Sequence, residues 1–137
     1  MKALIDTNVV LDILLHRHPW YDNSAMIFGL ADENLINGYV PTSAITDIFY
    51  VSQKQLGKNP TKKALKTLLS VFKPAAVTDN HIYHALDLDW ADFEDSVQYI
   101  VGISFSADYI ITRNTQDFSS SSIPAVTPEQ FINIVNR

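Results

Sequence analysis

The sequence predicts an α/β domain with a central, mainly parallel sheet of four to five short strands and helices on both faces. Short apolar segments alternate with amphipathic stretches of helical spacing along all 137 residues. With 47% hydrophobic residues the chain can build one core, and its length is that of one domain, so 1–137 is read as a single unit. No repeat or linker interrupts the alternation.

Lys2–Ile5 reads as a buried strand that ends at Asp6. Apolar residues at 9, 10, 11, 13, 14 and 15 then read as a short helix. The segment HRHPW breaks it, because Pro19 disfavours helix at His18. Helical spacing resumes over Tyr21–Ala31, and Asn37-Gly38 is a turn signal before a strand at Tyr39-Val40. Thr42 or Ser43 is expected to cap a helix that ends near Gly57. Asn59-Pro60-Thr61 reads as a break and a cap, followed by a basic amphipathic helix over Lys62–Val71.

Ala75–Val77 is the third expected strand, with Asp79 capping a helix over 80–88. A loop at 89–92 leads into a helix from Phe93 to about Ser104. Tyr109–Ile111 and Ala125-Val126 are the last strands, and Thr127-Pro128-Glu129 opens a final helix with proline in its first turn. Trp20, Tyr21, Phe28, Phe49 and Tyr50 are expected in the core, as aromatics at helical spacing usually are.

The absence of cysteine excludes disulfides, thiolate metal sites and cysteine nucleophiles. No apolar run approaches the ~20 residues of a membrane-spanning helix. No signal-peptide pattern opens the chain, so a cytoplasmic protein without a membrane role is expected. The net charge of −5 suits an ordinary acidic protein, or one whose acids hold cations. Lys54, Lys58, Lys62, Lys63 and Lys66 gather in one stretch, either as a solvated helical face or as a patch that meets phosphates. His81 and His84 lack the glutamate of the zinc-protease motif and read as surface or capping residues. No phosphate-binding or dinucleotide glycine motif is present.

In an open parallel sheet, ligands bind beyond the carboxyl ends of the strands. Asp6 stands there after the first strand, and Thr112, Asn114 and Asp117 follow the fourth. If those strands are neighbours, their ends lie ~5 Å apart. Asp6 reads equally well as a turn or capping residue. Asp47, in the apolar segment AITDIFYV, either faces inward and needs a partner or lies on a polar edge near Lys54. Asp92, Glu94 and Asp95 crowd a helix start, where the helix dipole favours acids, and Asp92 fits the N-cap. Together these carboxylates offer hard oxygen ligands, which suit Mg²⁺ or Mn²⁺ rather than zinc and serve phosphoryl chemistry.

The segments LIDTNVVLDILL, TSAITDIFYV, DFEDSVQYIVG and DYIITRNTQDF, in that order over nearly the whole chain, resemble the motifs of the PIN-domain family. The resemblance is to small bacterial PIN ribonucleases, VapC-type toxins among them. It implies a three-layer α/β/α fold and Mg²⁺- or Mn²⁺-dependent endonucleolytic cutting of RNA, leaving a 5′-phosphate and a 3′-hydroxyl. Asp6, Asp47 and Asp95 match the family's first three acids, the second of which is more often glutamate. At the fourth position many relatives have aspartate where Asn114 stands, and in the TRNxxDF variant Asp117 supplies the acid. The resemblance thus implies metal binding by Asp6, Asp95 and Asp117, with Asp47 on the metal or the attacking water. Asn8, Asp92, Thr112 and Asn114 support them. Arg113, Lys54, Lys58 and Lys62 are candidates for RNA phosphates. The implied partners are RNA, an antitoxin protein and a second copy of the chain. The alternative is a PIN domain without catalysis, acting as an RNA-binding or scaffold module, favoured by the short Asp47 and the neutral Asn114. A haloacid-dehalogenase-like phosphatase would need aspartate where Asn8 stands.

Overall fold

The computed structural model describes residues 1–137. The strands are β1 (Lys2–Ile5), β2 (Asn37–Pro41), β3 (Lys73–Ala75), β4 (Tyr109–Ile111) and β5 (Ala125–Val126). The helices are α1 (Thr7–Leu14), α2 (Tyr21–Asp32), α3 (Thr42–Leu56), α4 (Lys58–Val71), α5 (Asp79–Leu86), α6 (Phe93–Ser104) and α7 (Pro128–Val135). A 3₁₀ turn spans Thr115–Phe118. All five strands are parallel, in the order β3-β2-β1-β4-β5.

Strand alternation divides the core into layers. Ala3, Ile5 and Ile111 point to one face and join residues of α1, α2, α3, α4 and α7, among them Val10, Ile27, Ile48, Leu68 and Phe131. Leu4 and Ile110 point to the other face and pack with Phe118 and Ile123. On that face α5 and α6 supply Ala85, Val97 and Val101, which cover Ala75. The result is the expected α/β/α sandwich. Burying a side chain such as Phe72 or Phe131 completely contributes roughly 1.5–3 kcal/mol.

Several local expectations shift. Asn37 and Gly38 lie in β2 rather than in a turn. A Cβ at Gly38 would stand 2.6 Å from Phe72 Cδ1, so this glycine serves close packing of ring on strand. The turn falls earlier, at residues 33–36. Neither Thr42 nor Ser43 caps α3; Pro41 holds the N-cap position, and Thr42 Oγ1 accepts from the Val77 N–H at 3.3 Å. Helix α4 starts at Lys58, ahead of the expected break. Pro60 fits inside its first turn, where its missing N–H costs nothing. Strand β3 sits two residues earlier than expected because Pro41 pairs with Ala75. Thr78, not Asp79, caps α5, in a capping box with His81. That places His81 in the capping role its position suggested. Phe28 and Phe49 pack against the core, whereas Trp20 and Tyr50 are exposed.

Candidate active site

The site forms where β1 and β4 end side by side. Ile5 pairs with Ile111, so Asp6 and Thr112 leave the sheet together. The Asp6 N–H donates to the Ile111 carbonyl at 3.0 Å. Its carboxylate is buried and accepts three hydrogen bonds, which leaves Oδ2 with one acceptor position to spare. Oδ1 accepts from the Thr7 N–H and from Gln98 Nε2, both at 2.9 Å, and Oδ2 accepts from Thr112 Oγ1 at 2.8 Å. Asp6 is therefore both the cap of α1 and the centre of the strand-end site. Thr112 Oγ1 also accepts from the Asn114 N–H at 3.1 Å, which shapes the loop beyond β4.

Helix α6 supplies the second group. Asp92 caps it by accepting the Asp95 N–H at 3.0 Å. Asp95 then lies in the first turn, and Gln98 follows one turn later on the same side. Gln98 is 1% exposed, and its Oε1 has no protein partner. Thr7 Oγ1 donates to Glu94 Oε1 at 2.7 Å and ties the start of α1 to the start of α6. The 3₁₀ turn brings in the third group, Asp117, on an exposed rim.

These acids share one field. Burial raises the Asp6 pKa; hydrogen bonds from Gln98, Thr112 and Thr7 oppose that rise, and the Asp117 charge adds to it. Burial first, then the charges of Asp6, Asp92, Asp117 and Glu94, push Asp95 up to about 7. The Asp117 charge acts on both from the turn after β4, where Asn114 carries none.

No lysine or arginine pairs with these acids; both ion pairs in the protein belong to Asp12. No three acidic or histidine side chains close tightly enough on one point to cage a metal by themselves. The donor set is nonetheless all hard oxygen, crowded and without a cation of its own. Mg²⁺ characteristically takes one or two carboxylates and keeps several waters, so the residues fit such an ion.

Asp47 and the candidate lysines lie elsewhere. Asp47 is exposed on α3 and does not face inward, and its charge is not among those acting on Asp6 or Asp95. Lys54 is twelve residues along α3 from Thr42, ~18 Å at the helical rise, with its Nζ 4.4 Å above the Tyr50 ring. Lys58 and Lys62 follow on α4 and are exposed. None of these lysines acts on the acids. Asn8 is half-buried on α1 beside Thr7.

Arg113 sits over the Trp20 ring, 3.9 Å from its centroid, and its Nε lies 3.0 Å from Asp12 Oδ2. Sequence reasoning missed Asp12. It is fully buried, with Arg17 Nη1 3.9 Å from its other oxygen. Neither Asp12 oxygen receives a well-directed hydrogen bond, so proximity of charge holds the pair. Burial raises the Asp12 pKa, while Arg113 and Arg17 lower it. The available signal was a lone acid inside the run VVLDILL, the same signal that drew attention to Asp47. Gln98 was also missed as a partner of Asp6; only its place one turn after Asp95 hinted at the role.

Fold and site together define an open parallel α/β domain with an acidic site at the carboxyl edge of its sheet. The family model for the PIN domain matches residues 2–116. The chain belongs to the PIN-domain family. Comparison with curated protein sequences finds no match. Among solved structures, the chain is similar to the VapBC2 complex of Rickettsia felis bound to a promoter DNA fragment, with TM-score 0.69, 15% identity and coverage of 93% of this chain and 98% of that one. A toxin–antitoxin complex from Klebsiella pneumoniae gives TM-score 0.68 at 21% identity, covering 92% and 97% of the two chains. The sarcin–ricin-loop-cleaving toxin VapC20 of Mycobacterium tuberculosis gives 0.63 at 11% identity, covering 79% and 86%. At these identities the likeness establishes a shared fold. No helix is long and apolar enough to cross a membrane.

Proposed function

We propose that this PIN domain is a Mg²⁺- or Mn²⁺-dependent endoribonuclease that acts as the toxin of a toxin–antitoxin pair. The observation that carries the reading is the grouping of Asp6 at the end of β1, Asp95 in the first turn of α6 and Asp117 in the 3₁₀ turn after β4, with no protein cation to offset them. Asp6, Asp95 and Asp117 would hold the ion, in part through water. A bound divalent ion supplies positive charge at the scissile phosphate and an acidified water for attack. Gln98 and Thr112 fix the Asp6 carboxylate in one orientation. Asp95, half-protonated near neutrality without a cation, ionises once a positive charge offsets its neighbours. Asp92 orients the first turn of α6 through its cap.

The toxin role is supported by similarity to structures named as toxins and toxin–antitoxin complexes. It brings an antitoxin protein as partner and the cytoplasm as the place where RNA is met. A homodimer belongs to the same reading; Tyr50 and Val51 on α3 and Tyr83 and Leu86 on α5 leave apolar area exposed for it. One observation favours a second reading, an RNA-binding PIN domain without catalysis: Asp47 stands outside the acidic group.

Cutting of a mixed-sequence single-stranded RNA, with and without Mg²⁺ or Mn²⁺, decides between them. Wild type is compared with Asp6→Asn and Asp95→Asn. Metal-dependent cutting lost in both variants supports the nuclease. Folded, inhibitor-free protein that binds RNA but cuts with no metal supports the second reading.

A further inference from the structure

Two cavities meet at Arg113. One, of about 270 Å³, is lined by Arg113, Asn114, Thr115, Gln116 and Asp117 and so shares Asp117 with the acidic site. The other, of about 400 Å³, is lined by Arg113 together with Trp20, Asn23 and Glu129. Trp20 is 42% exposed although tryptophan is the largest apolar side chain available to a core. The Arg113 guanidinium stacks 3.9 Å from the centre of its ring.

We propose that Trp20 and Arg113 form a nucleotide subsite of the RNA groove, in which one unpaired base stacks on the Trp20–Arg113 platform and the adjoining phosphate lies on the Asp117 side of Arg113. The inference rests on the nuclease reading and adds the binding of a single-stranded segment next to the cut. Charge fixes the polarity. Asp12 is shared between Arg113 and Arg17, so the trio keeps at least one positive charge for a phosphate. Each cavity carries one acid; on the nuclease reading the cation would offset Asp117, whereas Glu129 keeps its charge, repels phosphate and leaves the larger space to the uncharged base, whose edges Asn23 and Glu129 can bond. Aromatic and guanidinium planes are the surfaces on which proteins hold splayed-out RNA bases.

The test uses an uncleavable 2′-O-methyl octaribonucleotide and the full chain. In a Trp90→Phe background Trp20 is the only tryptophan, and its emission reports directly on stacking. Addition of the oligonucleotide should quench it. Trp20→Leu keeps apolar bulk but has no π face. It should weaken binding about tenfold and raise KM for RNA cutting by a similar factor with kcat little changed. Trp20→Phe should recover most of the loss. Wild-type cutting combined with an unchanged Kd and KM in Trp20→Leu overturns the subsite alone. Failure of the wild type both to bind and to cut RNA overturns the nuclease reading and the subsite together.

Discussion

Thr112 Oγ1 donates to Asp6 Oδ2 at 2.8 Å across 106 residues of sequence, and this bond joins the ends of two neighbouring strands into one site. The same oxygen receives the Asn114 N–H. Thr112→Val keeps the shape and removes both interactions. Leaving a buried carboxylate short of one donor costs about 1–3 kcal/mol. Urea denaturation should show that loss, RNA cutting should fall at least tenfold, and Thr112→Ser should restore much of both.

Gln98 opposes the upward push of burial on Asp6. Removing its Nε2 in Gln98→Leu should raise the Asp6 pKa further, so the acid limb of the pH–rate profile moves to higher pH. A profile that superimposes on wild type would show that Gln98 has no electrostatic part in the site.

Asp95 binds its proton more tightly in the folded protein than in the unfolded chain, its pKa raised from 3.8 to about 7. The contribution of this group to metal-free stability is therefore complete below pH ~4 and is lost as pH rises through about 7. Asp95→Asn should raise Tm at pH 7.5 and leave it nearly unchanged at pH 4. Asp95 is only partly buried, so about 1 kcal/mol after solvent screening, or ~4 °C, is a fair scale. Mg²⁺ should raise the Tm of wild type and have a smaller effect on the variant. Equal Tm gains at both pH values would contradict this account.

Asp12 and Arg113 are coupled through a buried 3.0 Å contact. Arg113→Ala strands a buried carboxylate with only a distant arginine, and should cost about 3 kcal/mol. Asp12→Asn combined with Arg113→Ala should cost clearly less than the sum of the two single changes in a double-mutant cycle read by denaturation. Additive costs would mean the pair is not an energetic unit.

Gly38→Ala drives a methyl to within 2.6 Å of the buried Phe72 ring. Overpacking of this kind costs about 1–3 kcal/mol. Thermal unfolding should record it, with RNA cutting at low temperature unaffected, because Gly38 lies near the start of β2, away from the carboxyl edge of the sheet.

The alternation of apolar segments determined the α/β class, and local chemistry placed α6, β4 and β5 at their observed limits: a capping aspartate, a β-branched run and a Thr-Pro helix start. The strand-end positions of Asp6 and Thr112 were legible for the same reason, since strand polarity alone decides which residues leave a parallel sheet at its ligand edge. Tertiary structure decided the rest. Gly38 reads as a turn residue until the Phe72 ring is seen packed where its Cβ would be. Asp47 and Asp12 look alike in sequence, each a single acid in an apolar run. Helix packing leaves one in solvent and buries the other beneath Arg113. Gln98 meets Asp6 only because α6 lays its first turns over the end of β1. Periodicity and capping act over a few residues and are written locally. Which face of a helix is covered, and which distant side chain stands opposite it, depends on how the layers dock.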